Sequence, residues 1–359
     1  MLKGLVLENF KCFDEMKLCF SNLNILTGLN GMGKSTVMQS ILLLGQSQNS
    51  ILSEQVLSLK GKYVNLGVGQ DILFEKAEKD EIGIGVWTEN TEEQYLFEYQ
   101  PDTDILPLKS VNKNLFSAWE ERLYYLSAYR IEPQFLYHIE NEKEVSERYF
   151  AKNGEFSIQY LKLHGGDDVI NSSVLIDNKK TIADQVKAWM DLISPGVSPV
   201  IAINTSSRTA ELKYEYIEGR EKTNSYKSVN VGFGITYVLP VVVALISAKP
   251  GDIILLENPE AHIHPKGQRI LGELLAAVGA GGVQVILETH SDHVMNGIRV
   301  AVKKGRLKPE NTQFFYFYKD KNDSYRHKVI CPVLDEDGRL SEWPEGFFDE
   351  WDLALLELL

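Results

Sequence analysis

Residues 28–36 combine residue types and a spacing that could bind a phosphate group. They read GLNGMGKST and contain the pattern G-x-x-x-x-G-K-S. Glycines at these positions let successive backbone N–H groups point at phosphate oxygens. The ammonium group of Lys34 could reach the β- and γ-phosphates of a nucleotide, and the hydroxyl group of Ser35 could bind Mg²⁺. The alternative interpretation is an ordinary glycine-rich turn.

The residues on either side of this loop are typical of a strand and a helix. Residues 23–26 are an apolar run that predicts a buried strand, and apolar residues recur at helical spacing from Val37 to Leu44. The pattern binds phosphate when a strand precedes it and a helix follows it, because the helix N-terminus adds a partial positive charge. The sequence therefore predicts a phosphate-binding loop (P-loop) at residues 28–36.

A second group of polar side chains follows two short apolar runs later in the chain. Glu257 follows the run IILL at residues 253–256, and His290 comes soon after the run VQVIL at residues 283–287. The intervening helix predicts a parallel sheet in which both strands end at the same edge. A carboxylate there can hold Mg²⁺ through water, and a neutral histidine can contact a γ-phosphate or an attacking water. The alternatives are that Glu257 is a turn residue and that His290 is structural.

The rest of the chain supplies elements of both kinds. Residues 82–86 and 95–97 alternate and predict a hairpin, so antiparallel sheet follows the P-loop. Residues 123–129 are apolar and aromatic and predict a buried strand. An apolar helix is predicted over residues 235–247. Because no heptad pattern is sustained, we expect no long coiled-coil arm.

Composition argues against several classes of function for the chain as a whole. A formal net charge of −13 does not favour binding of nucleic acid or anionic membrane by the whole surface. A basic run over residues 303–308 leaves a nucleic-acid contact open, although such runs are usually solvated helix ends. The scattered Cys12, Cys19 and Cys331 indicate neither a disulfide framework nor a zinc site. Because the N-terminus carries no secretory signal and the longest apolar run is too short to span a bilayer, we expect a soluble, cytoplasmic protein with no membrane partner.

Taken in chain order, these segments resemble the ABC-class ATPases, and more closely their SMC-like and OLD-like branch. Residues 9–13, NFKCF, resemble the N-terminal signature loop of that branch, where a basic residue, here Lys11, touches the nucleotide. Residues 257–265, ENPEAHIHP, resemble its Walker B and D-loop stretch, and residues 288–293, ETHSDH, resemble its histidine switch. Residues 334–348 resemble a small C-terminal domain of unknown function that often closes these ATPases.

The resemblance implies an α/β fold: an ABC-type P-loop ATPase head with a mixed central sheet, an antiparallel β subdomain and flanking helices. It divides the chain into four segments. Residues 1–100 would be the N-terminal half of the head, residues 101–230 an inserted region that could bind a partner, residues 231–318 the C-terminal half of the head, and residues 319–359 a small C-terminal domain.

The resemblance also implies ATP and Mg²⁺ as cofactors and gives each candidate residue a role. The residues expected to hold the phosphates are Gly28, Asn30, Gly31, Gly33 and Lys34, with Thr36 supporting the α-phosphate and Lys11 touching the nucleotide from the side. Ser35 is expected to bind Mg²⁺ directly, and Glu257 through water. In a head-to-tail dimer, Gly232 and Gly234 would act in trans on the ATP of a second copy. The alternative for these two glycines is a turn before a core helix.

Asn258 departs from the pattern of this group. Related ATPases carry a glutamate after the Walker B acid, which polarises the attacking water. An amide can orient water but cannot accept its proton, and loss of a general base typically costs about 10²–10⁴-fold in rate. Either Glu260 or His290 takes over this role, or hydrolysis is slow.

We interpret the sequence as a low-turnover ATPase that forms a homodimer or higher oligomer, senses a signal and controls a partner effector. The resemblance to components of bacterial anti-phage systems suggests a nuclease as that effector. About 70 residues follow His290, too few for the large acidic nuclease domain that OLD proteins carry, so we expect the nuclease to be a separate chain. One alternative is an SMC-like DNA-repair ATPase, against which the acidic charge and the missing coiled coil count. The other is a nucleotide-binding scaffold without hydrolysis, which Asn258 favours.

Overall fold

The computed structural model describes residues 1–113, 119–141, 145, 151–219, 221–320 and 325–358. The chain divides into two compact units. Unit 1 consists of Met1–Leu123, Thr312–Val333 and Leu340–Leu359, and unit 2 of Tyr124–Asn311 and Leu334–Arg339. The four predicted segments stay a prediction, and residues 114–118, 142–144, 146–150 and 220 of the predicted inserted region lie outside the described residues.

Unit 1 contains an antiparallel sheet with the strand order β2-β1-β5-β6-β7-β4. The predicted hairpin is present as β5 and β6, which pair antiparallel from Glu81 opposite Glu98 to Trp87 opposite Glu92. The strands of this sheet are β1 (Gly4–Phe10), β2 (Phe13–Cys19), β4 (Val56–Ser58), β5 (Glu81–Trp87), β6 (Glu92–Glu98) and β7 (Ile105–Lys113).

The P-loop lies in the other part of unit 1, between β3 (Leu23–Gly28) and α1 (Lys34–Glu54). β16 (Thr312–Lys319) runs parallel to β3 and antiparallel to β17 (His327–Ile330), so this sheet is mixed. All six residues of β3 are buried, as expected for a strand with parallel partners that is covered on both faces. The last element of unit 1 is α7 (Glu350–Leu358).

Unit 2 contains two groups of strands. β14 (Ile253–Glu257) and β15 (Gln284–Glu288) are parallel and in register, with Glu257 opposite Glu288. β8 (Leu123–Leu126) is the neighbour of β14. The second group is centred on β11, and its strands are β9 (Tyr137–His138), β10 (Val197–Asn204), β11 (Thr209–Glu218), β12 (Glu221–Lys222) and β13 (Tyr226–Lys227).

The helices of unit 2 cover these strands with apolar surfaces. In α4 (Phe233–Ser247), all twelve residues from Thr236 to Ser247 are buried. This is the pattern of a helix with protein on all sides. α6 is capped by Ser291, whose hydroxyl oxygen accepts a hydrogen bond from Val294 N at 3.0 Å. The helices are α2 (Ser157–His164), α3 (Ile182–Ile193), α4 (Phe233–Ser247), α5 (Pro265–Ala280) and α6 (Asp292–Lys303).

The predicted α/β fold is confirmed, with a mixed sheet, an antiparallel β subdomain and flanking helices. The longest helix among the described residues is α1, with 21 residues, and this part of the chain has no long coiled-coil arm. None of the described helices has both the length and the apolar character needed to cross a bilayer. The strand predicted at residues 123–129 is wrong beyond Leu126, because the main chain of Ser127 and Ala128 hydrogen-bonds to Arg130 and Glu257 instead of a neighbouring strand.

Candidate functional site

The loop of residues 29–33 has a backbone shape that glycine makes possible. Gly28, Gly31 and Gly33 have φ angles of 132°, 78° and 103°. A Cβ atom on Gly28 would lie 2.3 Å from the carbonyl oxygen of Phe317, and one on Gly33 would lie 2.4 Å from the ring of Phe13. The turn therefore requires glycine at both of its ends.

Lys34 places a positive charge against this loop. Its Nζ atom donates hydrogen bonds to the carbonyl oxygens of Gly28 and Leu29, at 2.8 and 2.9 Å. The side chain is buried, and Gly33 at the N-cap of α1 provides no side-chain cap. The N–H groups of the first turn of α1 and the Lys34 ammonium thus concentrate positive charge at one end of the helix.

The turn between β1 and β2 brings Lys11 to the first turns of the same helix. Lys11 Nζ donates a hydrogen bond to Gln39 Oε1 at 2.7 Å. The next residue, Cys12, lies with its sulfur 3.7 Å from Thr36 Oγ1. Burial lowers the pKa of Lys11 from its ordinary value, although Asp71 acts in the opposite direction. The structure therefore gathers Lys11 and Thr36 at the N-terminal end of α1.

The remaining P-loop residues lie where the motif requires them. Asn30 and Gly31 are exposed at the tip of the loop, and Ser35 is half-buried in the first turn of α1. Backbone donors, an ammonium group and a serine hydroxyl are the groups that fit a nucleoside triphosphate with its Mg²⁺. All eight of the predicted residues in unit 1 lie in the P-loop, the first turn of α1 or the turn that contacts it.

In unit 2, Glu257 lies at the carboxyl end of β14 with its side chain held by neighbours. Its Oε2 atom accepts a hydrogen bond from Ala128 N at 3.0 Å, and the Tyr125 hydroxyl also bonds this carboxylate. Burial raises the pKa of Glu257, and Glu288 raises it further, while Ala128, Tyr125 and Arg130 act in the opposite direction. Glu257 is half-buried, and a carboxylate whose oxygens are held in this way has the chemistry of a ligand for a hard divalent cation.

The turn after β14 carries the next two candidates. Asn258 has a φ angle of 43°, and its N–H donates to the carbonyl oxygen of Glu288 at 2.9 Å. Its carbonyl oxygen accepts from Ala261 N at 3.1 Å, which closes a turn with Glu260 as the third residue. The amide oxygen Oδ1 of Asn258 is buried and has no partner among the described residues.

Glu260 links this turn to the end of β15. Its Oε1 atom accepts a hydrogen bond from His290 N at 3.0 Å, and its Oε2 atom is buried with no partner among the described residues. Burial raises the pKa of Glu260, while its own backbone N–H, the Thr289 side chain, the N–H of His290 and Arg130 act in the opposite direction. The His290 side chain is exposed. The structure thus brings Glu257, Asn258, Glu260 and His290 together at one edge of the sheet in unit 2.

Gly232 and Gly234 lie at the start of α4, but their surroundings differ. Gly232 is the N-cap, is exposed and has no side-chain cap. Gly234 packs tightly, since a Cβ atom there would lie 2.1 Å from the carbonyl oxygen of His262. Packing inside the chain therefore accounts for Gly234, and it leaves Gly232 accessible to another molecule.

The sequence did not predict a role for Arg130, which binds the main chain of two predicted site residues. Its side chain is 5% exposed, and its guanidinium binds the carbonyl oxygens of Glu257 and Asn258 at 2.8 and 2.6 Å. Burial lowers the pKa of Arg130, and Tyr237, Glu260 and Glu257 act in the opposite direction. No motif surrounds Arg130 in the sequence, and only its tertiary contacts reveal it.

Comparison with known proteins adds a family and a fold. Residues 23–296 match the family described as "AAA domain, putative AbiEii toxin, Type IV TA system", and residues 307–358 match one described as "Protein of unknown function (DUF3696)". No curated protein matches the chain. The SmcHead bound to the C-winged helix domain of ScpA has a TM-score of 0.57 at 14% identity, with 93% of this chain and 98% of that chain covered.

A second similar structure is the Smc head domain with an extended coiled coil, bound to the C-terminal domain of ScpA and derived from Pyrococcus furiosus. Its TM-score is 0.52 at 13% identity, with 99% of this chain and 98% of that chain covered. At such identities the likeness concerns the fold alone. It confirms the predicted ABC-type ATPase head.

Glu260 should cost stability at neutral pH, because an acid with a raised pKa is ionised in a poorly hydrated position. Below the ordinary glutamate pKa of 4.5 it is protonated in both the folded and the unfolded chain. As pH rises above that value, the unfolded chain ionises first, so the free energy of unfolding falls until the raised pKa is passed. Glu260→Gln keeps an acceptor for His290 N and should raise the free energy of unfolding at pH 8 by about 1 kcal/mol, with little effect near pH 4.

Urea unfolding at several pH values measures this difference. The matched control is Glu273→Gln, since Glu273 is similarly buried but accepts hydrogen bonds from Arg269 and from Arg306, the latter at 2.9 Å. That variant should lose stability. A Glu260→Gln variant that is less stable than wild type at pH 8 would contradict the interpretation.

Proposed function

The chain belongs to the family described as "AAA domain, putative AbiEii toxin, Type IV TA system", and on this basis we propose that it binds ATP with Mg²⁺ and hydrolyses it slowly in order to regulate a partner protein. The family and the fold make the chain an ABC-like AAA ATPase. Hydrolysis, dimerisation and the regulatory role are the parts that we propose.

The observation that carries the proposal is the geometry of the P-loop. Glycines close both ends of the turn, the N-terminus of α1 has no side-chain cap, and Lys34 is held against the loop by two carbonyl oxygens. These donors are in place before a ligand arrives, so little reorganisation is needed to bind phosphate. Gly28, Asn30, Gly31, Gly33 and Lys34 hold the phosphates, Thr36 supports the α-phosphate, and Lys11 contacts the nucleotide from the side.

The Mg²⁺ of the nucleotide is assigned to two residues. Ser35 offers its hydroxyl group, and Glu257 acts through water because its Oε2 atom already accepts a hydrogen bond from Ala128 N. When bound, Mg²⁺ neutralises charge that develops on the phosphate oxygens. The protein fixes the direction of the Glu257 carboxylate through Tyr125 and Ala128, and this does not depend on the metal.

We expect slow hydrolysis because the residue after Glu257 cannot act as a general base. Asn258 can orient a water molecule but cannot take its proton. Glu260 is the better candidate, because it lies in the same turn and one of its carboxylate oxygens has no partner among the described residues. Its raised pKa also brings it closer to the range in which a carboxylate accepts a proton at neutral pH. His290 is adjacent and is assigned to the γ-phosphate or to the same water.

Two observations support the proposed partners: the family match and the exposed N-terminus of α4. In a head-to-tail dimer, the N-terminus of α4 at Gly232 would meet the γ-phosphate held by a second copy. The family description, which mentions a toxin–antitoxin system, supports a role in bacterial defence beside a separately encoded effector, for which we propose a nuclease. ATP would hold the dimer closed until hydrolysis or a trigger releases it.

One observation favours a second function. Asn258, whose amide oxygen is buried with no partner in the described part of the chain, occupies the position at which the ATPases that the sequence resembles carry a glutamate. If Glu260 does not act as the base, the protein is a nucleotide-binding scaffold that ATP locks in one state. The two functions differ in turnover and agree in ATP binding.

Removal of the Lys34 ammonium group should abolish tight ATP binding. Lys34→Ala and Lys34→Met are expected to weaken the affinity for ATP·Mg²⁺ about 100-fold, or ~3 kcal/mol, the upper range for a hydrogen bond to a charged group. Calorimetric titration measures the affinity, and thermal melting shows whether each variant is folded. The exposed Lys60→Ala is the control and should bind like wild type. Unchanged affinity in folded Lys34→Met would contradict the proposal.

Turnover of four variants separates the two functions. We expect Glu260→Gln to lower kcat by about 10²-fold and Asn258→Glu to raise it by about 10-fold, as the loss and gain of a general base imply. Asn258→Gln is the matched control, because it carries the same strain at a φ angle of 43° without adding a base. Glu257→Gln should bind ATP and turn over poorly. Tight binding with no wild-type turnover, rescued only by Asn258→Glu, would establish the scaffold instead.

A charge at Gly232 should block dimerisation without harming the fold. Gly232→Asp places a favourable N-cap residue on α4, so thermal stability should stay unchanged or rise. The same carboxylate would repel a γ-phosphate in trans, and the ATP-dependent increase in mass seen by light scattering in the Glu257→Gln background should disappear. Gly232→Ser caps the helix without charge and should still dimerise. Equal dimerisation of the aspartate and serine variants would exclude this role for Gly232.

A further inference from the structure

A buried guanidinium binds the backbone at the end of β14 from one side. Arg130 donates through Nη1 to the carbonyl oxygen of Glu257 at 2.8 Å and through Nη2 to that of Asn258 at 2.6 Å. The carbonyl oxygen of Asn258 also accepts from Ala261 N, which closes the turn that carries Glu260. One planar group therefore binds the two peptide units that flank Asn258, one next to Glu257 and the other in the turn that carries Glu260.

The same guanidinium binds α4. Its Nε atom donates to the carbonyl oxygen of Tyr237 at 3.2 Å, and the group lies 4.4 Å from the centre of the Tyr237 ring. The Tyr237 hydroxyl donates to the carbonyl oxygen of Ala128 and accepts from Arg130 N at 3.3 Å. Arg130 and Tyr237 thus hold α4 and the residues beside β14 in one hydrogen-bonded cluster.

The residues just before Arg130 hold the Glu257 carboxylate itself. Ala128 N donates to Glu257 Oε2, and the Tyr125 hydroxyl bonds the same group. Ser127 O accepts from Arg130 Nη1 at 2.9 Å, which folds this short segment against its own arginine. The backbone and the side chain of Glu257 are therefore both held by residues 125–130.

Only a planar group with several donors can make these contacts. All four acceptors of the Arg130 side chain are main-chain carbonyl oxygens, from Ser127, Tyr237, Glu257 and Asn258. A lysine ammonium is a compact charge on a flexible stem, so it cannot reproduce a fork that reaches acceptors on different elements. Burial of a guanidinium costs free energy, and the four hydrogen bonds to carbonyl oxygens offset part of this cost.

We propose that Arg130 is a positioning residue for ATP hydrolysis: it fixes the Glu257–Asn258 peptide units against α4 and so sets the directions of the Glu257 and Glu260 carboxylates. This inference rests on the proposed function. It concerns the rate of the chemical step, whereas direct contacts to the phosphates are assigned to residues of unit 1.

The test compares kcat with the affinity for ATP in Arg130→Lys. We expect kcat to fall about 10–100-fold, as for other residues that orient a ligand of the reacting centre. The affinity for ATP·Mg²⁺ should stay within threefold of wild type. Arg299→Lys is the matched control, because Arg299 is half-buried and also donates to a main-chain carbonyl, that of Gly338 at 2.7 Å. It should change neither quantity by more than threefold.

Tyr237→Phe keeps the test decisive if Arg130→Lys does not fold. This variant keeps the ring and its main-chain carbonyl but loses the hydroxyl bonds to Ala128 O and from Arg130 N, and it should lower kcat more modestly, about 3–10-fold, at unchanged affinity. Wild-type kcat in folded Arg130→Lys, or a parallel loss of affinity and kcat, would overturn the inference. If the wild-type chain hydrolyses no ATP, or if its binding of ATP does not depend on Lys34, the proposed function itself fails.

Discussion

In unit 2, ionisable groups lie at the ends of apolar strands, and their partial removal from water costs free energy. The apolar residues of β14 and β15 are buried, Glu257 is half-buried at the end of β14, and Glu260 is buried in the turn that follows. Burial raises the pKa of both acids, and it lowers the pKa of the nearby Arg130. Burial of any one of these charged groups alone would cost free energy. Acids and a guanidinium buried side by side offset part of that cost. The need to compensate these charges explains why Glu257, Glu260 and Arg130 all form hydrogen bonds with the main chain.

Unit 1 differs from unit 2, because it buries a positive charge, that of Lys34, beside the glycine-rich loop. Lys34 is as buried as an apolar residue, yet its ammonium group is bonded to the carbonyl oxygens of the loop that it serves. Those bonds satisfy the charge in the folded chain. The tight approach of Phe13 to Gly33 and of Phe317 to Gly28 keeps the loop in this shape.

The sequence predicts those parts of the site that depend on local patterns. The strand, loop and helix around residues 28–36 are correct because the glycine spacing and the two hydrophobic periods all agree. β14 and β15 are correct because parallel strands covered on both faces are short and rich in Val, Ile and Leu. Arg130 could not be predicted, because its partners are distant main-chain carbonyl groups and such groups leave no mark on residue type. The end of β8 was misplaced for the same reason.

The backbone at Asn258 gives a physical reason for the missing glutamate. A φ angle of 43° lies in the left-handed region, which asparagine tolerates better than glutamate does. The position is held there by Glu288 O on one side and by Arg130 on the other, so the turn selects an amide whatever the chemistry requires. The same turn places Glu260 two residues later, with one carboxylate oxygen buried beside the end of β15. A single turn therefore places an amide at position 258 and a buried carboxylate two residues later, and the proposed slow hydrolysis rests on this backbone geometry.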